Sequence, residues 1–164
     1  MNKKVITLRK AITLAKNLRS AGKKIIFTNG CFDLIHAGHV TYLEKAKKYG
    51  DVLILGLNSD ASIKQIKGDK RPILGEKDRA LLLSAFNFID YIIFFNEATP
   101  IRVIKSIKPD FHVKGGDYRV KDLPEYPIIK KYGGVIKILP YIKGCSTTSL
   151  IEKIRAAYCQ EVIK

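Results

Sequence analysis

Two histidines three residues apart, His36 and His39, follow an apolar run and share a turn with Asp33, Gly30 and Gly38. Ile25 to Thr28 reads as a buried strand that stops at Asn29-Gly30. A helix is expected from about Gly38, with Val40, Leu43, Ala46 and the stem of Lys47 on its core face and Gly50 as a left-handed stop. A helix N-terminus presents unpaired N–H groups and a partial positive charge, glycine lets a large anion approach the backbone, and two imidazoles add donors that titrate near neutral pH. That combination suits phosphate binding. A zinc site built from His36, His39 and Asp33 is the alternative by ligand type, and it finds no convincing further ligand elsewhere in the chain.

The elements that must position this turn alternate along the chain. Thr7 is the expected cap of a first helix with Leu8, Ala11, Ile12, Ala15 and Leu18 on one face, ending at Gly22 and packing outside the sheet. Val52 to Leu57 is a continuous apolar strand that ends at Asn58-Ser59-Asp60, polar residues set beside the first site unless Ser59 or Asp60 only caps the helix Ala61 to Ile66. The basic loop Lys67-Gly68-Asp69-Lys70-Arg71-Pro72 follows, from which Lys67 or Arg71 could close over a triphosphate. A helix is expected from Glu76 to Phe88 with Ala80, Leu81, Leu83, Ser84 and Phe88 buried, and Arg79 in its first turn is a cation where the helix dipole favours an anion, which hints at an anionic partner.

Tyr91 to Phe95 is the third strand, Thr99-Pro100 opens a helix with Ile101, Ile104 and Ile107 inward, and Phe111 to Lys114 is the fourth strand. Gly115-Gly116-Asp117-Tyr118 can form a nest of N–H groups or an ordinary turn. A helix from Leu123 to Tyr132, the strand Val135 to Leu139, and a last helix carrying Leu150, Ile151, Ile154 and Ala157 complete the chain. The hydroxyl run Ser146-Thr147-Thr148-Ser149 at the start of that helix reads as a second anion site.

Composition sets the class. The 164 residues suit one domain, 1–164, and 46% are apolar, enough for a full core. No apolar run is long enough to span a membrane and no cleavage site follows the N-terminus, so a cytoplasmic location is expected. Three widely spaced cysteines, Cys31, Cys145 and Cys159, read as reduced thiols. A net charge of +15 suggests nucleic acid first, yet the lysines are spread along the whole chain without interleaved aromatics, so polyanionic small substrates explain it equally well and no nucleic-acid or membrane partner is expected.

Alternating strands and helices argue for a parallel sheet covered on both faces, in which ligands bind at the strands' carboxyl ends where strand order reverses. The unusual segments 29–39, 58–60, 114–118 and 143–149 all fall at such ends. Neither a G-x-x-x-x-G-K-S/T loop nor a G-x-G-x-x-G turn is present, which removes most support for kinase, GTPase and dehydrogenase chemistry.

H-A-G-H at His36 to His39 with S-T-T at Ser146 to Thr148 resembles the cytidylyltransferase-like nucleotidyltransferase superfamily. T-N-G-C-F-D-L-I-H-A-G-H-V, N-S-D at Asn58, K-G-D-K-R-P at Lys67, V-K-G-G-D-Y at Val113 and G-C-S-T-T together resemble the heptose 1-phosphate adenylyltransferase branch, from about residue 5 to about residue 155. The resemblance implies a Rossmann-like three-layer α/β sandwich of the HxGH nucleotidyltransferase type, with a five-stranded parallel sheet. It implies transfer of AMP from ATP, with Mg²⁺, to D-glycero-D-manno-heptose 1-phosphate for lipopolysaccharide or surface glycan synthesis. Dimers are common in that family, and no pattern in this chain establishes one.

Carried over by that resemblance, His36 and His39 would stabilise the transition state, Lys67 would neutralise phosphate charge, and Gly38, Ser146, Thr147 and Thr148 would hold the phosphates. Cys31 and Phe32 would line the nucleotide pocket, and Asp117 and Tyr118 the nucleoside. Asp33 and Arg79 would shape the acceptor side, with Asn58, Arg71 and Lys114 as further substrate contacts and no protein metal ligand. Lys143 stands where relatives often carry Arg. Bifunctional members add a sugar kinase domain, so a separate kinase is expected to supply the sugar phosphate here. The rival readings are a CTP:glycerol 3-phosphate or ATP:FMN transferase and, in a different class, a basic module binding RNA or anionic lipid.

Overall fold

A computed structural model describes residues 3–140 and 144–158. The expectation for Lys143 lies outside the described residues. Strands β1 (Ile25–Gly30), β2 (Val52–Asn58), β3 (Tyr91–Phe95), β4 (Phe111–Gly115) and β5 (Val135–Leu139) form one sheet of order β3-β2-β1-β4-β5. Every ladder is parallel. The chain leaves β1 outward through β2 and β3, then returns to the other side of β1 with β4, so strand order reverses at the carboxyl end of β1.

The helices are α1 (Leu8–Ser20), α2 (Ala37–Lys47), α3 (Asp60–Lys67), α4 (Glu76–Ser84), α5 (Ile101–Ile107), α6 (Tyr126–Lys131) and α7 (Thr147–Tyr158). Because side chains alternate along a strand, the apolar run of β1 feeds two cores. Ile26 joins Leu43 and Ala46 of α2 and Ala80 and Leu83 of α4 on one face. Ile25 and Phe27 join Ala11 and Ala15 of α1, Val103, Ile104 and Ile107 of α5 and Ile129 of α6 on the other. Thr7 caps α1 as expected, accepting from the Lys10 N–H at 3.3 Å. Residues before α1 add to the sheet edge, with the Ile6 N–H donating to the Ile92 carbonyl and the Ile92 N–H to that of Lys4.

Several local expectations are corrected. Gly50 is not a left-handed stop: α2 ends in Lys48 with ordinary helical angles, and Gly50 is small because a Cβ there would meet the Lys24 carbonyl and Ile26 at 2.9 Å. Helix α4 stops at Ser84, four residues early, leaving Phe88 outside it, stacked on Phe86, and Leu81, within the helix and expected to be buried, is 62% exposed. The residues from 120 to 131 split into a 3-10 turn and the short α6, since Pro127 fits only the first turn of a helix. Helix α7 buries none of its residues, and Ile154 is 54% exposed.

His112 in β4 is fully buried and stacked on Phe27 with ring centroids 5.6 Å apart. Burial, with Lys114 nearby, lowers its pKa from 6.5 to about 3. The fold therefore holds the neutral ring, whose contribution is complete above pH 6.5 and is lost as pH falls toward 3, because the unfolded chain binds the proton first. Moving from pH 6.5 to 4.5 should cost about 2–3 kcal/mol through this residue. Urea unfolding across that range should show a loss in the native protein that is smaller by about that amount in His112→Leu, the remainder belonging to His39 and other titrating groups.

Candidate active site

A cleft of about 710 Å³ opens at the carboxyl ends of β1 and β4, at the point where strand order reverses. Its walls bring together Cys31, Phe32, Asp33, His36, Gly38 and His39 after β1, Lys67 and Arg71 after β2, and Ser146, Thr147 and Thr148 at the start of α7. Segments more than 100 residues apart in sequence thus face one space.

The imidazole turn is built by close packing. Phe32 adopts a left-handed φ of 45°, an uncommon conformation for a bulky residue, and sits in space that Gly30 leaves, since a Cβ at Gly30 would meet the Phe32 ring at 2.9 Å. Phe32 then backs His39, ring centroid to ring centroid 5.1 Å, and His39 stacks on His36 at 3.8 Å. His36 caps α2: its Nδ1 accepts the His39 N–H at 3.3 Å. With Nδ1 accepting, the neutral ring carries its proton on Nε2 as a donor.

Gly38 is required for a second reason. A Cβ there would lie 2.8 Å from the Cys145 Cβ and 2.9 Å from His36 Nδ1, so the loop before α7 seats directly on the imidazole turn. At α7, the Ser146 hydroxyl accepts the Ser149 N–H at 3.0 Å while the Ser149 hydroxyl accepts the Ser146 N–H at 3.2 Å. This reciprocal cap fixes the helix start, whose remaining N–H groups face an anion favourably.

Burial lowers the His36 pKa, and burial followed by repulsion from His36 lowers that of His39 to about 4 against a weaker opposing bond to the Leu34 carbonyl. Both shifts favour the neutral ring at pH 7. Burial raises the Cys31 thiol pKa even though Lys67, Arg79 and Arg71 oppose it, so Cys31 is a protonated wall residue.

Asp33 lines the cleft with a carboxylate already committed. It is 1% exposed and accepts from Arg71 Nε at 2.6 Å, from the Ile73 N–H at 2.8 Å and from the Leu74 N–H at 2.9 Å. It therefore anchors the basic loop and aims Arg71 at the cleft. Asp33→Asn would set an amide against donors, and it should lower turnover by roughly 10-fold, the scale of one charge-assisted hydrogen bond. Hydrogen exchange should report faster exchange at the Ile73 and Leu74 amides.

Other expected contacts fall outside the cleft lining. Asn58 is buried and donates to the Ser62 hydroxyl at 2.9 Å, and Ser59 is the cap of α3, its hydroxyl accepting the Ser62 N–H. Lys114 pairs with buried Glu125 at 3.4 Å. Gly116 is buried with its N–H on the Leu139 carbonyl, so the chain turns away only afterwards and leaves Asp117 and Tyr118 exposed. Arg79 is fully buried and its guanidinium bonds protein acceptors, with the Asp60 carboxylate as its anionic partner.

Among the lining residues that were not singled out for a role are Tyr42 and Asn29. Tyr42 donates to the Val113 carbonyl at 2.8 Å and shares a 2.7 Å bond with the Thr28 hydroxyl, and Gly115 leaves room for its ring. Asn29 reads in the sequence chiefly as a strand stop, although the residue lines the cleft. Tyr42 lies on the helix face that points to the sheet, which reads in sequence as core.

Similarity searches bear on the same segments. A family model described as cytidylyltransferase-like matches residues 27–153. The protein called bifunctional protein HldE from Geobacter metallireducens is 52% identical over 143 residues, 87% of this chain and 29% of that protein. Its namesake from Geotalea uraniireducens is 43% identical over 158 residues, 96% of this chain and 32% of that one. The chain thus spans about three tenths of the length of these relatives. A crystal structure of a lipopolysaccharide core biosynthesis protein from Thermoplasma volcanium superposes with a TM-score of 0.58 at 28% identity, covering 76% of this chain and all of that one. With the model match running from β1 into α7 and so enclosing every wall of the cleft, the chain belongs to the cytidylyltransferase-like family.

Proposed function

We propose that the protein is an adenylyltransferase that joins AMP from ATP to D-glycero-D-manno-heptose 1-phosphate, releasing pyrophosphate. The observation that carries this reading is the seating of the Ser146–Thr148 helix start on the His36–His39 turn across one cleft. The heptose assignment draws on the motif set K-G-G-D-Y and G-C-S-T-T. A structural neighbour named for lipopolysaccharide core biosynthesis supports it.

The chemistry asks little of the protein beyond alignment and charge. A phosphate monoester with a second pKa near ~6 is largely ionised at pH 7, so its oxygen attacks the α-phosphorus without a strong general base. One P–O bond forms, the bond to the β-phosphate breaks, and pyrophosphate carries away the electron pair. His36 and His39 donate to the crowded equatorial oxygens, Lys67 and Arg71 balance charge from the loop after β2, and Thr147 and Thr148 with the α7 N-terminus receive the leaving pyrophosphate. Mg²⁺ would arrive on the triphosphate and neutralise its oxygens. Asp33, the carboxylate lining the cleft, is committed to Arg71 and two backbone N–H groups. Among the described residues no cluster of His, Cys, Asp and Glu is placed to hold a metal ion.

Pyrophosphate release should be measured for ATP and CTP, each with heptose 1-phosphate, glycerol 3-phosphate and FMN. Turnover with ATP and the heptose phosphate is expected. Strong turnover only with CTP and glycerol 3-phosphate, or with FMN, would replace the heptose assignment. Salt-sensitive RNA or vesicle binding that persists in a His36→Ala, His39→Ala double variant, with no turnover of any pair, would replace the transferase reading itself.

A further inference from the structure

The central strands β1 and β4 are neighbours in the sheet and pair at two positions among the described residues, Ile26 with Phe111 and Phe27 with His112. On their outer sides both stay paired to their ends, β1 with β2 as far as Gly30 and Leu57, β4 with β5 as far as Gly115 and Leu139. They therefore part beyond Phe27 and His112, at the carboxyl end where strand order reverses. The cleft, lined by Asn29, Gly30 and Gly115 among others, opens at that fork.

What spans the fork comes from a third element. Thr28 and Val113 are the first residues beyond the last pair, and Tyr42 of α2 joins them: its hydroxyl donates to the Val113 carbonyl at 2.8 Å and lies 2.7 Å from the Thr28 hydroxyl. A phenol has one proton, and the carbonyl takes it, so Thr28 is the donor in the second bond. The chain of bonds runs from β1 through α2 to β4, and each bond polarises the next. The ring is fitted to the same place, since a Cβ at Gly115 would stand 3.3 Å from it. His39 stands three residues earlier on the same face of α2, and His36 caps that helix. One hydroxyl thus fixes the helix carrying both imidazoles against both arms of the fork.

Resting on the transferase reading, we propose that Tyr42 is a positioning residue for that reaction: its hydroxyl holds the start of α2 at the fork and so sets where His36 and His39 meet the developing charge. It acts through the imidazoles, its own proton being committed to Val113. The effect belongs to the chemical step, where a displacement of about 1 Å can cost on the order of 10²-fold.

Tyr42→Phe removes the hydroxyl and keeps the ring. With the nucleotide and acceptor that the native protein turns over, the single-turnover rate at saturation should fall roughly 10- to 100-fold, while KM for each stays within about 3-fold of native. The ring resonances of His36 and His39 should shift in the free variant, which a merely stabilising bond would leave in place. Ile107→Val, in the core on the opposite face of the sheet, loses stability away from the fork and should keep the native rate at a temperature where all three proteins are folded. A native rate in folded Tyr42→Phe overturns the inference, as does an equal loss in Ile107→Val or imidazole resonances that stay at their native positions. A penalty confined to KM for one substrate also overturns it, since the hydroxyl would then be a binding contact. If Tyr42→Phe does not fold, Thr28→Val, which cuts the β1 arm alone, takes its place: a loss of roughly 3- to 10-fold in rate at unchanged KM is expected, and a native rate there overturns the inference. Native protein inactive with every nucleotide and acceptor refutes the transferase reading first, before any Tyr42 variant is made, and removes the inference with it.

Discussion

Replacing His39 with alanine is expected to lower turnover by roughly 10²- to 10³-fold, the range for losing one preorganised donor to developing charge. The fold should survive the change. The backbone N–H of residue 39, which His36 Nδ1 accepts, remains in the alanine variant, so the cap of α2 is retained. Phe32, at the edge of the core on the α2 and α4 face, and His36 lose a ring neighbour, while the core on the opposite face of the sheet is untouched. His36→Ala should cost a similar factor in turnover and also some stability, about 1 kcal/mol, because it removes the cap itself.

The protonation state sharpens this prediction. Two imidazoles stacked at 3.8 Å cannot both ionise cheaply, and burial already holds His39 at about 4. In the free protein both therefore enter the reaction neutral, and a bound triphosphate should pull their pKa values upward by supplying the missing counter-charge. NMR titration of the ring resonances should show this rise on adding a nucleotide that cannot be turned over. The stability sign is opposite in the free protein: the neutral His39 contributes fully above pH 6.5 and its contribution fades as pH falls toward 4, so His39→Ala should be less acid-sensitive than the native chain. An alanine variant retaining near-native turnover would mean that the helix N-termini and the cations alone carry the charge.

Much of the frame was legible because parallel strands buried on both faces leave an unmistakable trace. Ile25 to Thr28 and Val52 to Leu57 are largely apolar runs followed by Asn-Gly and Asn-Ser-Asp; both strands start where expected, and β1 runs on through Gly30 and β2 through Asn58. The cleft's two halves were legible for a different reason: H-A-G-H and S-T-T place donors at helix starts, and helix starts at the carboxyl ends of such strands converge. What could not be read was the use to which each polar side chain is put once packed. Ser59 reads as a possible helix cap, while Asn58 and Asp33 look alike as polar residues after strands. Packing makes the first a helix cap, the second a buried donor to Ser62, and the third an anchor for the basic loop. Gly50 was misread because a close backbone approach and a left-handed turn both demand glycine, and only coordinates distinguish them. Asn29 was passed over because an Asn at a strand end usually signals nothing more than the turn that follows it.

Arg79 gives the largest expected effect on stability, and its misreading explains why. A cation in the first turn of a helix seems to await an anionic ligand, since the dipole there disfavours it. In the folded chain the guanidinium lies fully buried behind the cleft and bonds outward in four directions. It donates to the Leu74 carbonyl at 3.0 Å, the Cys31 carbonyl at 2.6 Å, the Asn58 carbonyl at 2.9 Å and Asp60 Oδ1 at 2.7 Å. These acceptors belong to the ends of β1 and β2, the start of α3 and the basic loop. Asp60 and Glu76 extend the hub, each carboxylate accepting the other residue's backbone N–H, at 3.0 and 3.1 Å, and so tying α3 to α4. Arg79→Met keeps the length and apolar stem but strands one buried and two partly buried carbonyls and a carboxylate, and it should destabilise by about 3–5 kcal/mol. Arg79→Lys should recover only part of that loss, because a single ammonium cannot reproduce a planar fork with four partners. Urea unfolding of the three proteins tests the ranking, and kinetics at a temperature where all remain folded test the role. A substrate ligand would instead leave the midpoint within about 1 kcal/mol of native and raise KM for one substrate alone, which would return Arg79 to the acceptor side of the reaction.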